Sequence, residues 1–248
     1  MTVLATTDDT LLDGKIRFTQ PRDGYRAAID PVLLAASVPL EAGQRVLDLG
    51  CGAGAVFLCL LAREPTLSIV GIDKDAELIA LAEANIIAND RAEQVEVTQA
   101  DLAMMPVTWQ AEAMDHVVMN PPYLEVERAD PSPDAGRAAA GVEDGLDLAA
   151  WVARAHRCLR PRARVTVVHR ADRLDDLLSA LAGRFGETVV FPLWPKAGVA
   201  AKRVIVTARK GVRTPLVLSP GLTLHEADGG LMRTAGAALR GASIDILG

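Results

Sequence analysis

The stretch Val46-Leu47-Asp48-Leu49-Gly50-Cys51-Gly52-Ala53-Gly54 constrains the fold of this chain more than any other. An apolar run ends in an aspartate, three glycines alternate with small residues, and Ala55-Val56-Phe57-Leu58 opens an apolar helical stretch. Glycine reaches backbone angles closed to other residues and lets a ligand approach the main chain. The unpaired N–H groups that start the following helix add partial positive charge. Strand, glycine turn and helix together predict a nucleotide-type site at the carboxyl edge of a parallel sheet.

The turn alone leaves two ligand classes. Gly50-x-Gly52-x-x-Ala55 fits the dinucleotide fingerprint, and Asp73 stands about where a ribose-binding acid belongs. Two features favour S-adenosylmethionine instead. Asp48 precedes the first glycine, where a carboxylate meets an ammonium group and repels a pyrophosphate. Asn120-Pro121-Pro122-Tyr123 has no role in hydride transfer and a definite one in methyl transfer.

The other strands and helices follow in alternation. Leu67-Ser68-Ile69-Val70-Gly71-Ile72-Asp73 reads as a strand, and residues 75–88 as a helix rich in Ala, Leu, Ile and Glu. Val95-Glu96-Val97-Thr98 and His116-Val117-Val118-Met119 read as the next two strands, the second running directly into Asn120. Helices are expected over 148–159 and 174–181, with strands at Val165-Thr166-Val167-Val168, Thr188-Val189-Val190-Phe191 and Arg203-Val204-Ile205-Val206-Thr207. No helix-length run separates the last two, which predicts antiparallel pairing at the sheet edge. The expected fold is α/β: a Rossmann-like sheet of seven strands, mostly parallel with an antiparallel edge strand and helices on both faces.

Upstream, Asp30 reads as a helix N-cap, with Pro31 as first helical residue and the helix ending before Pro39. Residues 1–44 form a cap to the domain at 45–248, the two making one unit. Residues 124–146, full of Pro, Gly, Ala and charge, read as a substrate lid or a disordered loop. The last 35 or so residues are weakly patterned.

Composition limits the partners. Three cysteines, Cys51, Cys59 and Cys158, lack a C-x-x-C spacing, which predicts a reduced cytoplasmic protein without structural zinc. The N-terminus has no basic region ahead of an apolar core, so no signal peptide is expected, and no apolar run is long enough to cross a membrane. Net charge is -6, unevenly spread: residues 1–150 carry 10 Lys+Arg against 25 Asp+Glu, and residues 151–213 carry 14 against 4. Such asymmetry predicts either a nucleic-acid face or basic residues coating helix ends and surface strands. Lys15, Arg17, Arg22 and Arg26 add a basic stretch near the start. His116, His156, His169 and His225 are scattered without ligand spacing, so no metal site is expected. His169 ends a strand and reads as a surface histidine.

A methyl donor at this turn needs several contacts. Asp48 and the backbone of Gly50, Cys51, Gly52 and Gly54 suit its methionine end. Asp73, with Lys74 beside it, can accept hydrogen bonds from ribose hydroxyls. Asp101 and the Leu102 amide can read the adenine edge. On the acceptor side, the Asn120 side-chain oxygen and the Pro121 carbonyl can both accept from one NH₂ group. That pulls the nitrogen out of conjugation and aims its lone pair at the sulfonium carbon. Pro121 and Pro122 fix the backbone direction, and Tyr123 offers a flat face for stacking. Rate then comes from alignment, with no metal or strong base.

These residues resemble a family. Asp48 to Gly54 with Asn120-Pro-Pro-Tyr123 is similar to the class I S-adenosylmethionine-dependent methyltransferases that act on exocyclic or amide nitrogens. Gly24-Tyr25-Arg26, Ile29-Asp30-Pro31-Val32-Leu33-Leu34-Ala35, Val165-Thr166-Val167-Val168-His169-Arg170 and Lys202-Arg203-Val204-Ile205-Val206 extend the likeness. So do Arg209-Lys210-Gly211 and Leu222-Thr223-Leu224-His225-Glu226. These point to the small methyltransferases related to bacterial tRNA adenine-N6 enzymes. The resemblance implies an RNA acceptor, tRNA before rRNA, with oligomeric state open. A protein-glutamine methyltransferase and a non-catalytic S-adenosylmethionine-binding domain are the alternatives.

Overall fold

Strands apolar on both faces belong between two helical layers, and the chain builds that arrangement in order. The computed structural model describes residues 4–23, 26–106, 108–122, 124–125, 142–143 and 146–248. A hairpin of β1 (Thr6–Leu11) and β2 (Ile16–Pro21) comes first, then α1 (Ile29–Ser37), β3 (Arg45–Leu49), α2 (Ala55–Arg63), β4 (Ser68–Asp73), α3 (Ala76–Ala88), β5 (Val95–Gln99) and β6 (Met114–Met119). Two short pieces, β7 (Leu124–Glu125) and β8 (Val142–Glu143), pair in parallel. There follow α4 (Leu148–Cys158), β9 (Leu159–Arg170), α5 (Leu174–Leu181), β10 (Phe185–Trp194), β11 (Arg203–Lys210), β12 (Val217–Leu218), β13 (Leu222–Thr223) and α6 (Arg233–Leu239).

The main sheet runs β12-β10-β11-β9-β6-β3-β4-β5, with β13 also on β10. Only β11 runs antiparallel to its neighbours, β9 and β10. Seven strands match the expected set. The count reaches nine because two dipeptide strands, β12 and β13, add to β10. One face of the sheet is covered by α1, α2 and α3 through Leu33, Leu34, Phe57, Leu60 and Ile86. The other is covered by α4 and α5 through Leu148, Val152 and Leu177. Burying such aliphatic side chains stabilises by roughly 1.5–3 kcal/mol each.

From β3 the chain moves outward to β4 and β5, then returns to place β6 on the other side of β3. Leu49 and Met119 end in register across that pair. The glycine turn after β3 and Asn120 after β6 thus flank the crevice where strand order reverses, the usual ligand position in such sheets.

Three local expectations change. The N-terminal segment contains a hairpin, turned by Leu12, Asp13 and Gly14 at φ 52, 59 and 84°; Asp13-Gly14 is a hairpin turn signal in the sequence. Asp30 is not a cap: α1 starts at Ile29 without a side-chain cap, and Asp30 lies in its first turn. There it accepts from Arg203 Nε at 2.9 Å. The tail is ordered by contacts with residues far away in sequence, including Ile244 N–H to the Ala36 carbonyl at 2.8 Å.

Candidate functional site

The turn after β3 is tied to the end of β4. The Gly50 and Cys51 amides both donate to the Ile72 carbonyl at 2.8 and 2.9 Å, and the Gly52 amide donates to Asp73 Oδ2 at 2.9 Å. Gly50 and Gly52 have φ of 72 and 54°, in the left-handed region. A Cβ on Gly50 would meet the Trp151 ring at 2.8 Å, whereas one on Gly52 would meet nothing within 4 Å. Gly50 is needed for packing. Gly52 opens onto a cavity also lined by Cys51, Ala53, Val56 and Asn120.

Asp48 lies behind this turn, 1% exposed. Burial first, then the Asp73 charge, push its carboxyl up to about 8, against a smaller pull from the Phe57 amide. Its Oδ2 is buried with no hydrogen-bond partner among the described residues. An orphaned carboxylate oxygen next to an open glycine cradle suits a ligand that brings a cation to this end.

The roof of the cavity comes from the hairpin, which sequence reasoning missed. Phe18, Gln20 and Pro21 of β2 line it, with Ala27 and Leu78. Asn85 of α3 joins roof to floor. Its Oδ1 accepts from the Thr19 amide at 2.8 Å, and its Nδ2 donates to the Thr19 carbonyl at 2.8 Å and to the Ala53 carbonyl at 3.0 Å. One turn later, Asn89 bonds both backbone groups of Arg17, at 2.9 and 2.7 Å. Two asparagines four apart thus serve β2 as a neighbouring strand would. The visible signal was Asn85 and Asn89 at helical spacing near the end of that helix.

At the other end, Asp73 keeps its carboxylate at the tip of β4, bonded to the Gly52 and Asp75 amides. Lys74 beside it is exposed. The Ala100 amide donates to the Asp73 carbonyl at 2.9 Å, which brings Asp101 and Leu102 next to the same edge. Asp101 is exposed and its Oδ1 caps the Ala103 amide at 2.8 Å, while Leu102 is buried. Arg154, buried on α4, holds this loop by donating to the carbonyls of Leu102, Met105 and Pro106 at 2.9, 2.9 and 3.0 Å. An arginine on the apolar face of an amphipathic helix was the available clue.

Asn120 lines the cavity, Pro121 is buried and Pro122 half-buried. Tyr123 lies outside the described residues, as do Gly24 and Tyr25. His169, read from sequence as a surface residue, is fully buried at the end of β9. Burial, then Arg173, pull its imidazole down to about 4, against a smaller upward pull from the backbone of Pro122 and Arg170. It is neutral at neutral pH.

The methyltransferase small domain family matches residues 28–133. A tRNA1(Val) (adenine(37)-N6)-methyltransferase of Tolumonas auensis is 31% identical over 66% of this chain and 68% of its own. The enzyme of the same name from Aeromonas hydrophila is 29% identical over 84% and 86%. The chain belongs to this group of class I S-adenosylmethionine-dependent methyltransferases. Among solved structures, a predicted O-methyltransferase of Agrobacterium tumefaciens superposes with a TM-score of 0.73 at 25% identity, over 87% of this chain and 98% of that one.

In this methyltransferase the basic segment 151–213 does not present one face. Arg160, Arg164, Arg170, Arg173, Arg203, Arg209 and Lys210 are in ion pairs with Asp115, Glu187, Asp172, Asp176, Asp30, Glu187 and Glu112. Exposed Arg157, Arg162, Arg184 and Arg213 lie near the start of β9 and β10 or the end of β11, at the sheet edge away from the cavity. His116 is buried on Thr166 Oγ1 at 2.8 Å, and burial holds it at about 3. Among the described residues, no group of three His, Cys, Asp or Glu could hold a metal ion. No described helix is long and apolar enough to cross a membrane.

Proposed function

We propose that this methyltransferase transfers a methyl group to adenine N6 in a tRNA. The observation that carries the reading is Asn120-Pro121-Pro122 beside an open glycine cradle, in a chain whose relatives are named for that reaction. S-adenosylmethionine supplies the electrophilic methyl when bound. Gly50, Cys51, Gly52 and Gly54 would give backbone contacts to its methionine end, with the orphaned Asp48 oxygen meeting the ammonium directly or through water. Asp73 keeps lone pairs for the ribose hydroxyls. Lys74 stands beside Asp73 at the ribose, and Asp101 and Leu102 border the adenine, on a loop held by Arg154. The Asn120 side-chain oxygen and the Pro121 carbonyl accept from the target NH₂ and direct its lone pair. Tyr123 then stacks on the base. A tRNA acceptor and three free buried cysteines both suit the cytoplasm.

A second reading is methylation of a protein glutamine, since an amide NH₂ suits the same acceptors. A release factor glutamine methyltransferase of Shewanella oneidensis is 41% identical, but over 91 residues and 30% of that protein. Incubation of total tRNA, rRNA and protein with labelled donor separates the two. Label in tRNA is expected; label confined to protein would reassign the acceptor and leave methyl transfer standing.

A further inference from the structure

A second recess lies on the same sheet edge as Asn120. β6 and β9 run parallel, β11 returns, and β10 again runs with β9. Asn120, Arg170, Arg203 and Trp194 therefore all stand at one edge. Beyond Trp194 a cleft of ≈ 480 Å³ is lined by Trp194, Ala197, Gly198, Val199, Pro220 and Thr223. It is an open recess on the surface, not an enclosed pocket. The indole is fixed, since Trp194 Nε1 donates to the Pro220 carbonyl at 2.9 Å.

The lining combines the Trp194 ring, small residues and Thr223 and holds no ionisable group, so the recess suits an uncharged ring with polar edges laid on the indole. Cations stand at its border. Leu193 pairs with Arg203, which puts Lys202, exposed, across from Trp194. Lys196 donates to the Ala227 carbonyl at 3.0 Å. The neighbouring turn carries Glu226 and Asp228; Asp228 Oδ1 accepts from the Gly230 amide at 2.9 Å. Three strand spacings separate β6 from β10, about 14 Å, a span that a short run of unstacked nucleotides can bridge.

We propose that the Trp194 cleft is a second base subsite, stacking an unpaired nucleobase that flanks the target adenine, with Lys196 and Lys202 on the adjoining phosphates. The proposal rests on the RNA reading above. Such a subsite supplies what the ion-paired arginines do not: a grip on single-stranded RNA at the reacting edge.

The test is steady-state methylation of total tRNA taken from cells lacking the enzyme. Trp194→Ala should raise KM for tRNA about tenfold, with kcat and donor affinity unchanged, and Trp194→Phe should restore most of the loss. Val199→Trp, at an exposed lining position, should fill the cleft and raise KM without removing the indole's hydrogen bond. Lys202→Ala should lower the salt slope of tRNA binding by about one. Unchanged KM in both Trp194→Ala and Val199→Trp would overturn the subsite, as would a change in oligomeric state with tRNA affinity intact. If the wild type methylates no RNA at all, the RNA reading itself fails.

Discussion

The two halves of the reacting edge are held by different kinds of contact. From β3 to β5 the cradle rests on backbone hydrogen bonds and buried amides: Gly50 and Cys51 to Ile72, Asn85 to Thr19 and Ala53, Arg154 to the loop at Leu102. From β9 to β10 the side chains are held by half-exposed ion pairs, Arg170 with Asp172 and Arg203 with Asp30. Unmade buried hydrogen bonds cost about 1–3 kcal/mol each. Exposed ion pairs contribute about 0–1 kcal/mol and fade with salt. The cradle is therefore rigid and indifferent to ionic strength.

The comparison breaks most visibly at Asn120, where the halves meet. Asn120→Ala should lower kcat on the order of 10²–10³-fold while donor affinity, measured by calorimetry, stays within a factor of two or so. Asp73→Ala should weaken S-adenosylmethionine and its demethylated product about 10- to 100-fold by removing ribose hydrogen bonds. An unchanged dissociation constant would remove Asp73 from the site.

Asn85→Ala leaves one buried and two part-buried backbone groups without their side-chain partner and should cost about 2–4 kcal/mol in denaturant unfolding. It should also weaken the donor, because β2 forms the roof. Asn89→Ala, which frees the exposed Arg17 backbone and one bond to the Asn85 carbonyl, should cost about 1 kcal/mol and spare donor affinity. Equal effects at the two positions would remove the idea of a roof held by Asn85.

Asp48 sharpens the contrast through pH. Its carboxyl sits at about 8 in the folded chain against an ordinary 3.8. Between those values the unfolded chain gives up a proton that the folded one keeps. Stability of the ligand-free protein should therefore fall as pH rises through that window. Asp48→Asn should raise Tm at pH 8 and flatten the profile, while weakening the donor. Smallest of all, Arg203→Ala should cost about 1 kcal/mol, since the Arg203 side chain is itself 32% exposed and the pair is partly screened.

The central half of the molecule was legible because its signals are local. The glycine turn, Asp73 ending β4, Asp101 two residues after β5, and the Asn120 motif each sit in a short window whose residue types allow few conformations. α5 matches its expected bounds and α3 begins one residue late. What the sequence hid is long-range. Asn85 reaches Thr19 over 66 positions, and Arg154 reaches Leu102 over 52. His169 read as exposed because its strand ends there, yet β11 and the chain after β6 bury it. The basic balance of 151–213 left open a nucleic-acid face or basic residues coating helix ends and strands; an alternating strand path sends its arginines to opposite edges and pairs half of the basic residues with acids.

The most direct measurement is nucleoside mass spectrometry of tRNA treated with S-adenosylmethionine and either wild type or Asn120→Ala, at donor concentrations saturating both. The account predicts N6-methyladenosine from the wild type and a loss of two or more orders of magnitude from the variant. Equal N6-methyladenosine from the two, or methylation of a ribose or a ring nitrogen, would contradict it.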